Sequence, residues 1–368
     1  MLSLSRPSIG EEELKAVGEV FKSGWLGMGA TVKKFEDELK QLIGVKNAIA
    51  VYTGTSALHI AMDACGIGRG DEVIVPSLTF TASVQAIIMC GASPVFCDVC
   101  EDTLNMDIDD VRKKINKKTK AVMPVHFSGL ACDMDALMEL KAGHGVRIIE
   151  DAAHAVGSSY KGKKIGSIGD ITCFSFDPIK NITCGEGGAV TTNDDGLADT
   201  IMKKRILGID KETWVRYKEK RSWFYDVTTS GFRYHMSNIN AAIGLEQLKK
   251  FGRFNERKKY IVKKYDGAFK GIEGIKIPHR NYEETAPFNY IIMVEGSRQE
   301  IMDFLESKGV GTGVHYLPNH TQQFFKKYYT KLPVTEKVEG AILTLPLYYD
   351  MKEGDVELVI ASVKEWFR

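Results

Sequence analysis

The sequence predicts an α/β protein with a mostly parallel central sheet, helices on both faces and a smaller C-terminal α+β region. Between residues 47 and 192, short apolar runs rich in Val and Ile alternate with helix-like segments. Apolar runs of this kind are typical of parallel strands, because helices cover both faces of such a sheet. Glycine or polar residues follow several of these runs. In an open α/β sheet, ligands bind at this carboxyl edge of the strands.

Two helices are predicted before the first strand. The first covers residues 8–22, with Ser8 as the expected cap, Glu11 three residues later and an apolar stripe. The stripe consists of Leu14, Val17, Val20 and Phe21. A loop that begins at Gly24 leads into a second helix, which ends near Gly44.

From residue 47 onward, predicted strands and helices follow one another. The strands are "NAIAVYT", "DEVIVP", "SPVFCDV", "AVMPVHF", "VRIIED", "ITCFSF" and "GAVTTN", and the helices are "GTSALHIAMDACG", "TASVQAIIMCG" and "DMDALMELKAGHG". The polar and aromatic stretch from residue 201 to residue 236 is long for a connection, which favours a functional loop.

A long helix is predicted next, capped by Ser237 or Asn238. A strand "NYIIMVEG", a helix "SRQEIMDFLESKG" and a last helix from about residue 354 complete the chain. We therefore expect a large domain over residues 1–250 and a small α+β domain over residues 251–368.

Composition excludes several classes of function. The 368 residues carry a net charge of +1, so no strong field would attract nucleic acid or an anionic membrane. No signal peptide and no membrane span are expected, since neither apolar pattern is present. The seven scattered cysteines suit a reducing cytoplasm. Cys97 and Cys100 form one C-x-x-C at a strand end without a second pair, so no metal site is expected.

Four features follow predicted strands. Gly54, Thr55 and Ser56 open a helix, where free N–H groups could bind a phosphate or simply cap the helix. Phe80 could stack on a planar ring or belong to the core. Asp151 is a carboxylate that is costly to bury unless it meets a cation, although it could also cap a helix.

Lys180 is the fourth feature, in the stretch "SFDPIKNITCGEGG". Ser175 offers a hydroxyl at the preceding strand end, and the following glycines let the chain turn back tightly. A phosphate cradle, an aromatic face, a carboxylate and a lysine together are what pyridoxal phosphate (PLP) requires. The lysine forms the Schiff base, and the acid keeps the pyridinium nitrogen protonated. Such a lysine needs a pKa below its usual value to act as a nucleophile.

The sequence also resembles the DegT/DnrJ/StrS family of sugar aminotransferases over nearly its whole length. The resemblance is carried by "GTSALHIAM", "VPSLTFTAS", "EDAAHAVGSSYKGKKIGSIGD", "SFDPIKNITCGEGGAVTTND" and "GFRYHMSNINAAIGLEQL". It implies the fold-type-I architecture of PLP enzymes and a homodimer whose active sites lie between two subunits.

Position by position, the resemblance implies roles for individual residues. Lys180 would hold the cofactor, Asp151 would pair with its ring nitrogen and Phe80 would stack on the ring. His154 would take the place of a residue, often Gln, that binds the ring hydroxyl. The implied phosphate ligands are Gly54, Thr55, Ser56 and Ser175. Arg233 and His235 are both candidates to reach the partner's cofactor, and His315, Tyr316 and His320 are candidates on the substrate side.

Two stretches bear on the substrate. "GMGA" at residues 27–30 stands where many family members have "TTGP", and Leu130 and Ala131 also depart from the family pattern. Residues 208–227 resemble the subgroup that includes UDP-4-amino-4-deoxy-L-arabinose synthase. Their mixture of cations and aromatic rings could bind a nucleotide diphosphate or dock on the partner subunit. The rings are Trp214, Tyr217, Trp223 and Phe224.

The resulting prediction is an aminotransferase of aminosugar biosynthesis that acts on a nucleotide-linked keto-sugar. The preferred substrate is a 4-keto hexose, and the expected amino donor is glutamate. Alternatives are a dehydratase of the same fold and a non-catalytic PLP-binding regulator. The dehydratases replace the lysine with His, so Lys180 argues against that reaction. A nicotinamide-binding domain is excluded, because neither "GMGATV" nor "GIGRGD" follows a strand and completes G-x-G-x-x-G.

Overall fold

The computed structural model describes residues 1–210 and 225–368, and it confirms the predicted α/β fold. Its strands form a seven-stranded main sheet, a three-stranded second sheet and a small hairpin. The strands are β1 Asn47–Val51, β2 Glu72–Pro76, β3 Ser93–Cys97, β4 Thr119–Val122, β5 Arg147–Asp151, β6 Ser159–Tyr160, β7 Lys163–Lys164, β8 Ile171–Ser175, β9 Gly188–Thr192, β10 Ile275–Lys276, β11 Tyr290–Val294 and β12 Ile342–Leu345.

The main sheet has the order β1-β9-β8-β5-β4-β2-β3. The strands from β3 across to β8 are parallel, whereas β9 runs antiparallel to both β8 and β1. This reversal follows from the stretch that contains Lys180, which turns back so that Ser175 pairs with Gly188. The parallel strands all end at one edge, so the segments after them meet there.

Helices cover both faces of this sheet. In chain order they are α1 Glu11–Ser23, α2 Ala30–Ile43, α3 Gly54–Ala64, α4 Thr81–Met89, α5 Ile108–Lys114, α6 Met134–His144, α7 Asp195–Lys204, α8 Asn238–Phe269, α9 Arg298–Ser307, α10 Pro333–Ala341 and α11 Glu353–Trp366. On β1, Ile49 and Val51 belong to the core with α3, α4 and α7, whereas Ala48 and Ala50 belong to the core with α2 and α8. Alternate residues thus face opposite layers.

The predicted start of α1 is wrong. The helix begins at Glu11, with Gly10 as its N-cap, and the Glu13 carboxylate accepts the Gly10 N–H at 2.8 Å. Of the expected apolar stripe, Leu14 and Phe21 are exposed and Val20 is buried. The physical reason is that α1 docks on α8 through an ion pair, in which Lys250 Nζ lies 2.7 Å from Glu13.

Helix α8 links two hydrophobic cores. Its first half contributes Ala241, Leu245 and Phe251 to the core beneath the main sheet. Its second half contributes Ile261 and Tyr265 to the core of the three-stranded sheet β10-β11-β12. We propose that the large and small domains divide within this helix, near residue 250.

Two further expectations concern membranes and metals. Every helix in the described ranges is too short or too polar to cross a lipid bilayer. The seven cysteines are free thiols, and burial raises the pKa of the Cys97 thiol well above its usual value. Within residues 1–210 and 225–368, no cluster of His, Cys, Asp and Glu could hold a metal ion.

Candidate active site

A cavity of about 360 Å³ opens at the carboxyl edge of the main sheet. Segments that follow β1, β2, β5 and β8 form most of its wall, and residues 315–316 close one side. Its polar and aromatic lining consists of Thr53, Thr55, Thr79, Phe80, Asp151, His154, Ser175, Asp177, Lys180, Glu186, His315 and Tyr316. Gly54 also lines it, so the structure brings together nine of the residues singled out from sequence.

Lys180 lies in the turn between β8 and β9, where its backbone N–H donates to the Asp177 carbonyl at 3.1 Å. Its Nζ lies 4.4 Å from the centroid of the Phe288 ring. Burial lowers the pKa of Lys180 to about 8, although the charges of Asp177 and Asp151 oppose that shift. A larger fraction of the amine is therefore neutral near pH 7 than in an exposed lysine, as a nucleophile requires.

Asp151 ends β5 and is 5% exposed. Its carboxylate accepts the Ser83 hydroxyl at 2.7 Å and the Ala153 N–H at 3.1 Å. Burial raises the pKa of Asp151, while these two hydrogen bonds and the nearby Lys180 charge lower it. A cationic ligand in the cavity would offset this burial and keep the carboxylate ionised.

His154 contacts two aromatic residues. Its ring stacks on Phe288 with centroids 4.1 Å apart, and its Nε2 lies 2.9 Å from the Tyr316 hydroxyl. Burial, followed by the charge of Lys180, lowers the pKa of His154 well below its usual value, so the ring is neutral. Its buried Nδ1 has no hydrogen-bond partner among the described residues. A buried polar atom without a partner, in a ring that lines the cavity, is suited to a ligand hydroxyl.

The N-terminus of α3 forms one end of the cavity. Thr53 caps the helix, since its Oγ1 accepts the Ser56 N–H at 3.0 Å. The N–H groups of Gly54 and Thr55, in the first turn, lack intrahelical acceptors and carry the positive end of the helix dipole. A Cβ at Gly54 would lie 2.8 Å from the Ser175 Cβ, so only glycine allows this close approach. The geometry fits a phosphate group.

Aromatic side chains form the opposite wall. Phe80 is 55% exposed, which excludes the alternative that it belongs to the core. Its ring centroid lies 5.7 Å from that of Tyr316. His315 accompanies Tyr316, and its Nδ1 lies 3.0 Å from the Thr344 hydroxyl. Burial, with the charge of Lys180, lowers the pKa of His315 to about 4, so this side chain is uncharged at neutral pH.

Several residues singled out from sequence lie elsewhere. Ser56 is buried, and its hydroxyl donates to the Thr53 carbonyl at 2.7 Å, which makes it part of the helix cap. His320 is fully buried, with its Nδ1 2.6 Å from the Ser77 hydroxyl, and does not line the cavity. Ser56 and His320 therefore support the structure around the cavity and do not line it.

Arg233 and His235 lie outside the Lys180 cavity of their own chain. They line a second depression of about 350 Å³ together with Trp25, Met28 and Leu207. The aromatic residues Trp214, Tyr217, Trp223 and Phe224 lie outside the described residues, so the structure does not bear on their expected role.

Three residues at the site were missed by sequence reasoning. Phe288 supports both Lys180 and His154, and Ser83 donates to Asp151. Glu186 lines the cavity, and burial raises its pKa, as does the charge of Asp177. Glu186 lies in the glycine-rich turn that was singled out, so its position was a usable signal. Phe288 carries no local signal, because only the packing of the C-terminal region brings it to the cavity.

Comparison with known proteins places the geometry in context. The model of the DegT/DnrJ/EryC1/StrS aminotransferase family matches residues 7–364. The chain is 40% identical to the spore coat polysaccharide biosynthesis protein SpsC of Bacillus subtilis, over 99% of this chain and 96% of that protein.

Solved structures are similar over the whole chain. The sugar aminotransferase CalS13 of Micromonospora echinospora is 30% identical, with a TM-score of 0.92, over 99% of this chain and 100% of that one. A Streptococcus pneumoniae protein assigned as a sugar aminotransferase, solved in its PLP form, is 31% identical. The two structures have a TM-score of 0.92, and the match covers 100% of this chain and 98% of that one.

Proposed function

Because the chain belongs to the DegT/DnrJ/EryC1/StrS aminotransferase family, we propose that it transfers an amino group from glutamate to a nucleotide-linked keto-sugar. The preferred sugar in this proposal is a 4-keto hexose. The chain is a PLP-dependent sugar aminotransferase. The observation that carries the proposal is one cavity that joins the Lys180 amine, the Asp151 carboxylate and the N-terminus of α3.

The residues of the cavity fit the cofactor. The close approach of Gly54 to Ser175 leaves a cradle of N–H groups for the phosphate. The unpartnered Nδ1 of His154 suits the ring hydroxyl, and the buried Asp151 suits the ring nitrogen. Phe80 offers an exposed aromatic face for the ring. When bound, PLP supplies an electron sink that carries the amino group from donor to acceptor.

The roles of the chain's own groups follow from this arrangement. Asp151 keeps the ring nitrogen protonated, while Ser83 holds the carboxylate in place at 2.7 Å. Lys180 holds the cofactor before reaction. With the cofactor bound and its amine free, Lys180 would take up and return a proton at the carbon that bears the transferred nitrogen, since its pKa of about 8 lies close to neutral pH.

On the substrate side, His315 and Tyr316 line the cavity next to Phe80. The His315 imidazole is uncharged, so it offers hydrogen bonds to sugar hydroxyls without repelling or attracting a phosphate. The SpsC relative takes part in polysaccharide biosynthesis, which supports a sugar as acceptor. We assign the nucleotide to the open side of the cavity, because a diphosphate and base need more room than the enclosed part offers.

The proposal includes a homodimer with shared active sites. Arg233 and His235 lie outside their own chain's cavity, in a depression with Trp25, and this supports a role toward the partner's cofactor. It also includes the cytoplasm as location, which the seven free thiols support, since such thiols persist in reducing compartments.

The deciding experiment has two stages. The visible absorbance of the purified, PLP-loaded protein is recorded before and after addition of glutamate, and 2-oxoglutarate is measured in the same sample. Nucleotide-linked 4-keto and 3-keto hexoses are then offered, with product masses followed by mass spectrometry. The Lys180→Ala variant, loaded with PLP, serves as the control.

The expected result is loss of the visible band with release of 2-oxoglutarate, followed by amination of the 4-keto sugar. Reaction with another amino acid but not with glutamate would correct the donor. Absence of amination with every nucleotide-linked keto-sugar would refute the proposed acceptor, and loss of a hydroxyl without gain of nitrogen would favour the dehydratase alternative for that substrate. Amination of the 3-keto sugar alone would correct the position of the ketone.

A further inference from the structure

Three lysine side chains of the described chain are almost completely buried, and their partners differ. Lys204 and Lys250 each have a carboxylate oxygen within 2.7 Å of Nζ. Lys258, on α8, is 6% exposed and has no carboxylate within ion-pair distance in the described ranges. Its Nζ donates to the Asn181 side-chain oxygen at 2.7 Å. Burial of an ammonium group without an opposite charge is costly, so Lys258 calls for an explanation other than stability.

The contact made by Lys258 leads directly to the reactive lysine. Asn181 follows Lys180 in the chain, and its Nδ2 donates to the Ala286 carbonyl at 3.3 Å. Ala286 lies two residues before Phe288, whose ring contacts the Lys180 amine. Asn181 therefore connects three parts of the protein: helix α8, the turn that carries Lys180, and the segment that supports the Lys180 side chain.

Lys180 and Lys258 also line a second, smaller cavity of about 20 Å³, which has room for about one water molecule. Its described lining contains no Asp or Glu. The titratable groups that face the two amines are Arg6 from the N-terminal segment, Tyr348 and Tyr349 from the segment after β12, and Asp151, His154, Asp177 and His315 from the main cavity.

Electrostatics couples the two amines. Burial, followed by the positive charge of Lys180, lowers the pKa of Lys258 to about 7. Lys258 is therefore the more acidic of the two amines, and it is largely uncharged at the pH at which Lys180 loses its proton. Among the described residues that line the small cavity, the only other basic side chain is that of Arg6.

We propose that Lys258 is a positioning residue for Lys180: through its hydrogen bond to Asn181 it holds the turn that carries Lys180. The proposal rests on the assignment of Lys180 as the cofactor lysine. It adds a second lysine, whose hydrogen bond to Asn181 fixes the position of the first.

The test compares three variants in the otherwise intact protein: Lys258→Met, Lys258→Arg and, as a matched control, Lys263→Met on an exposed position of the same helix. The quantity measured is the rate at which cofactor-free protein forms the visible band with PLP, as a function of pH. Circular dichroism and thermal unfolding establish that each variant is folded.

Lys258→Met loses the hydrogen bond to Asn181, so attachment of PLP is expected to slow about tenfold. Lys258→Arg keeps a donor for Asn181 and should recover part of that rate, whereas a role in packing alone would slow both variants equally. Equal attachment rates in folded Lys258→Met and wild type would overturn the proposal. Absence of the band in the wild type would refute instead the assignment of Lys180.

Discussion

Burial drives the two ionisable groups at the centre of the cavity toward their neutral forms. It lowers the pKa of Lys180 to about 8 and raises the pKa of Asp151. Removal from water disfavours a charge of either sign, so one environment acts in opposite directions on a base and an acid. In the proposed function, the neutral amine of Lys180 attaches the cofactor. The cofactor's own cation keeps the Asp151 carboxylate ionised.

The Asp151→Asn variant tests this pairing at the scale of one residue. The amide has the same shape but cannot keep the ring nitrogen protonated, so we expect kcat to fall by about 10²–10³-fold. Thermal stability without cofactor should be retained or increased, because a buried carboxylate with a raised pKa costs folding free energy. Steady-state kinetics and thermal unfolding measure the two effects. Turnover at the wild-type rate would contradict the role of Asp151.

The hydrogen bond from Ser83 to Asp151 can be tested through the pH dependence of activity. The Ser83 hydroxyl donates to Asp151 at 2.7 Å and so stabilises the ionised carboxylate. A hydrogen bond to a charged group contributes about 1.5–3 kcal/mol, so its loss in Ser83→Ala should raise the pKa of Asp151 by about one unit or more. Because the ionised form is required, activity should be lost at a higher pH on the acid side.

The measurement for Ser83→Ala is the pH profile of kcat, with Ser307→Ala at an exposed helix end as control. The acid limb of the control should coincide with that of the wild type. An unshifted acid limb in Ser83→Ala would mean that the hydrogen bond does not control the protonation of Asp151.

At the scale of elements, the site depends on how closely β9 approaches the start of α3. A Cβ on Gly188 would lie 2.3 Å from the Thr53 carbonyl oxygen, closer than real atoms allow. Gly188 is also the first residue of β9 and pairs with Ser175, which lines the cavity. Absence of a side chain at this position therefore allows the strand, the helix cap and the phosphate cradle to meet.

We expect Gly188→Ala to push the N-terminus of α3 away and to weaken PLP binding at least tenfold, measured by titration of the visible band. Gly340→Ala on α10 is the matched control, since a Cβ there meets open space. That substitution should leave affinity unchanged and increase stability by about 0.5–1 kcal/mol, as expected for Ala in a helix. Unchanged PLP affinity in Gly188→Ala would argue against the cradle.

At the scale of the whole molecule, the site is assembled from distant parts of the chain. The main sheet supplies Asp151 and Lys180, whereas the C-terminal half supplies Phe288, His315 and Tyr316. Helix α8 runs from one core into the other and carries Lys258 between them. Any shift of the small domain therefore acts on the wall of the cavity and on the surroundings of Lys180 at the same time.

The proposed dimer leads to a complementation experiment. If Arg233 or His235 serves the partner's cavity, mixing inactive Lys180→Ala with Arg233→Ala or with His235→Ala should restore activity. Mixed dimers carry one intact site each, so random exchange of subunits predicts about a quarter of wild-type activity. The variant that complements identifies the residue that reaches across. Light scattering measures the mass, and a fully active monomer would refute the shared site.

Sequence reasoning predicted most elements correctly because local patterns specify them. Apolar runs gave the strands, and Ser237 was correctly expected as a cap of the long helix. The cofactor chemistry was also predictable, since Gly54, Asp151 and Lys180 each lie at or after the carboxyl end of a strand, at one shared edge of the sheet. The start of α1 was predicted wrongly, because a buried ion pair with Lys250 and not an apolar stripe docks that helix.

The sequence by itself thus determined the α/β fold, because this depends on periodicity, and its motifs determined the family and the cofactor through their resemblance to known members. Tertiary structure alone decided that the Phe288 ring contacts Lys180, that Ser56 and His320 lie outside the cavity lining, and that Lys258 and Lys180 line the same small cavity. The physical reason is that burial and contact between distant segments arise only when the two cores pack together, and these contacts set the pKa values on which the chemistry depends.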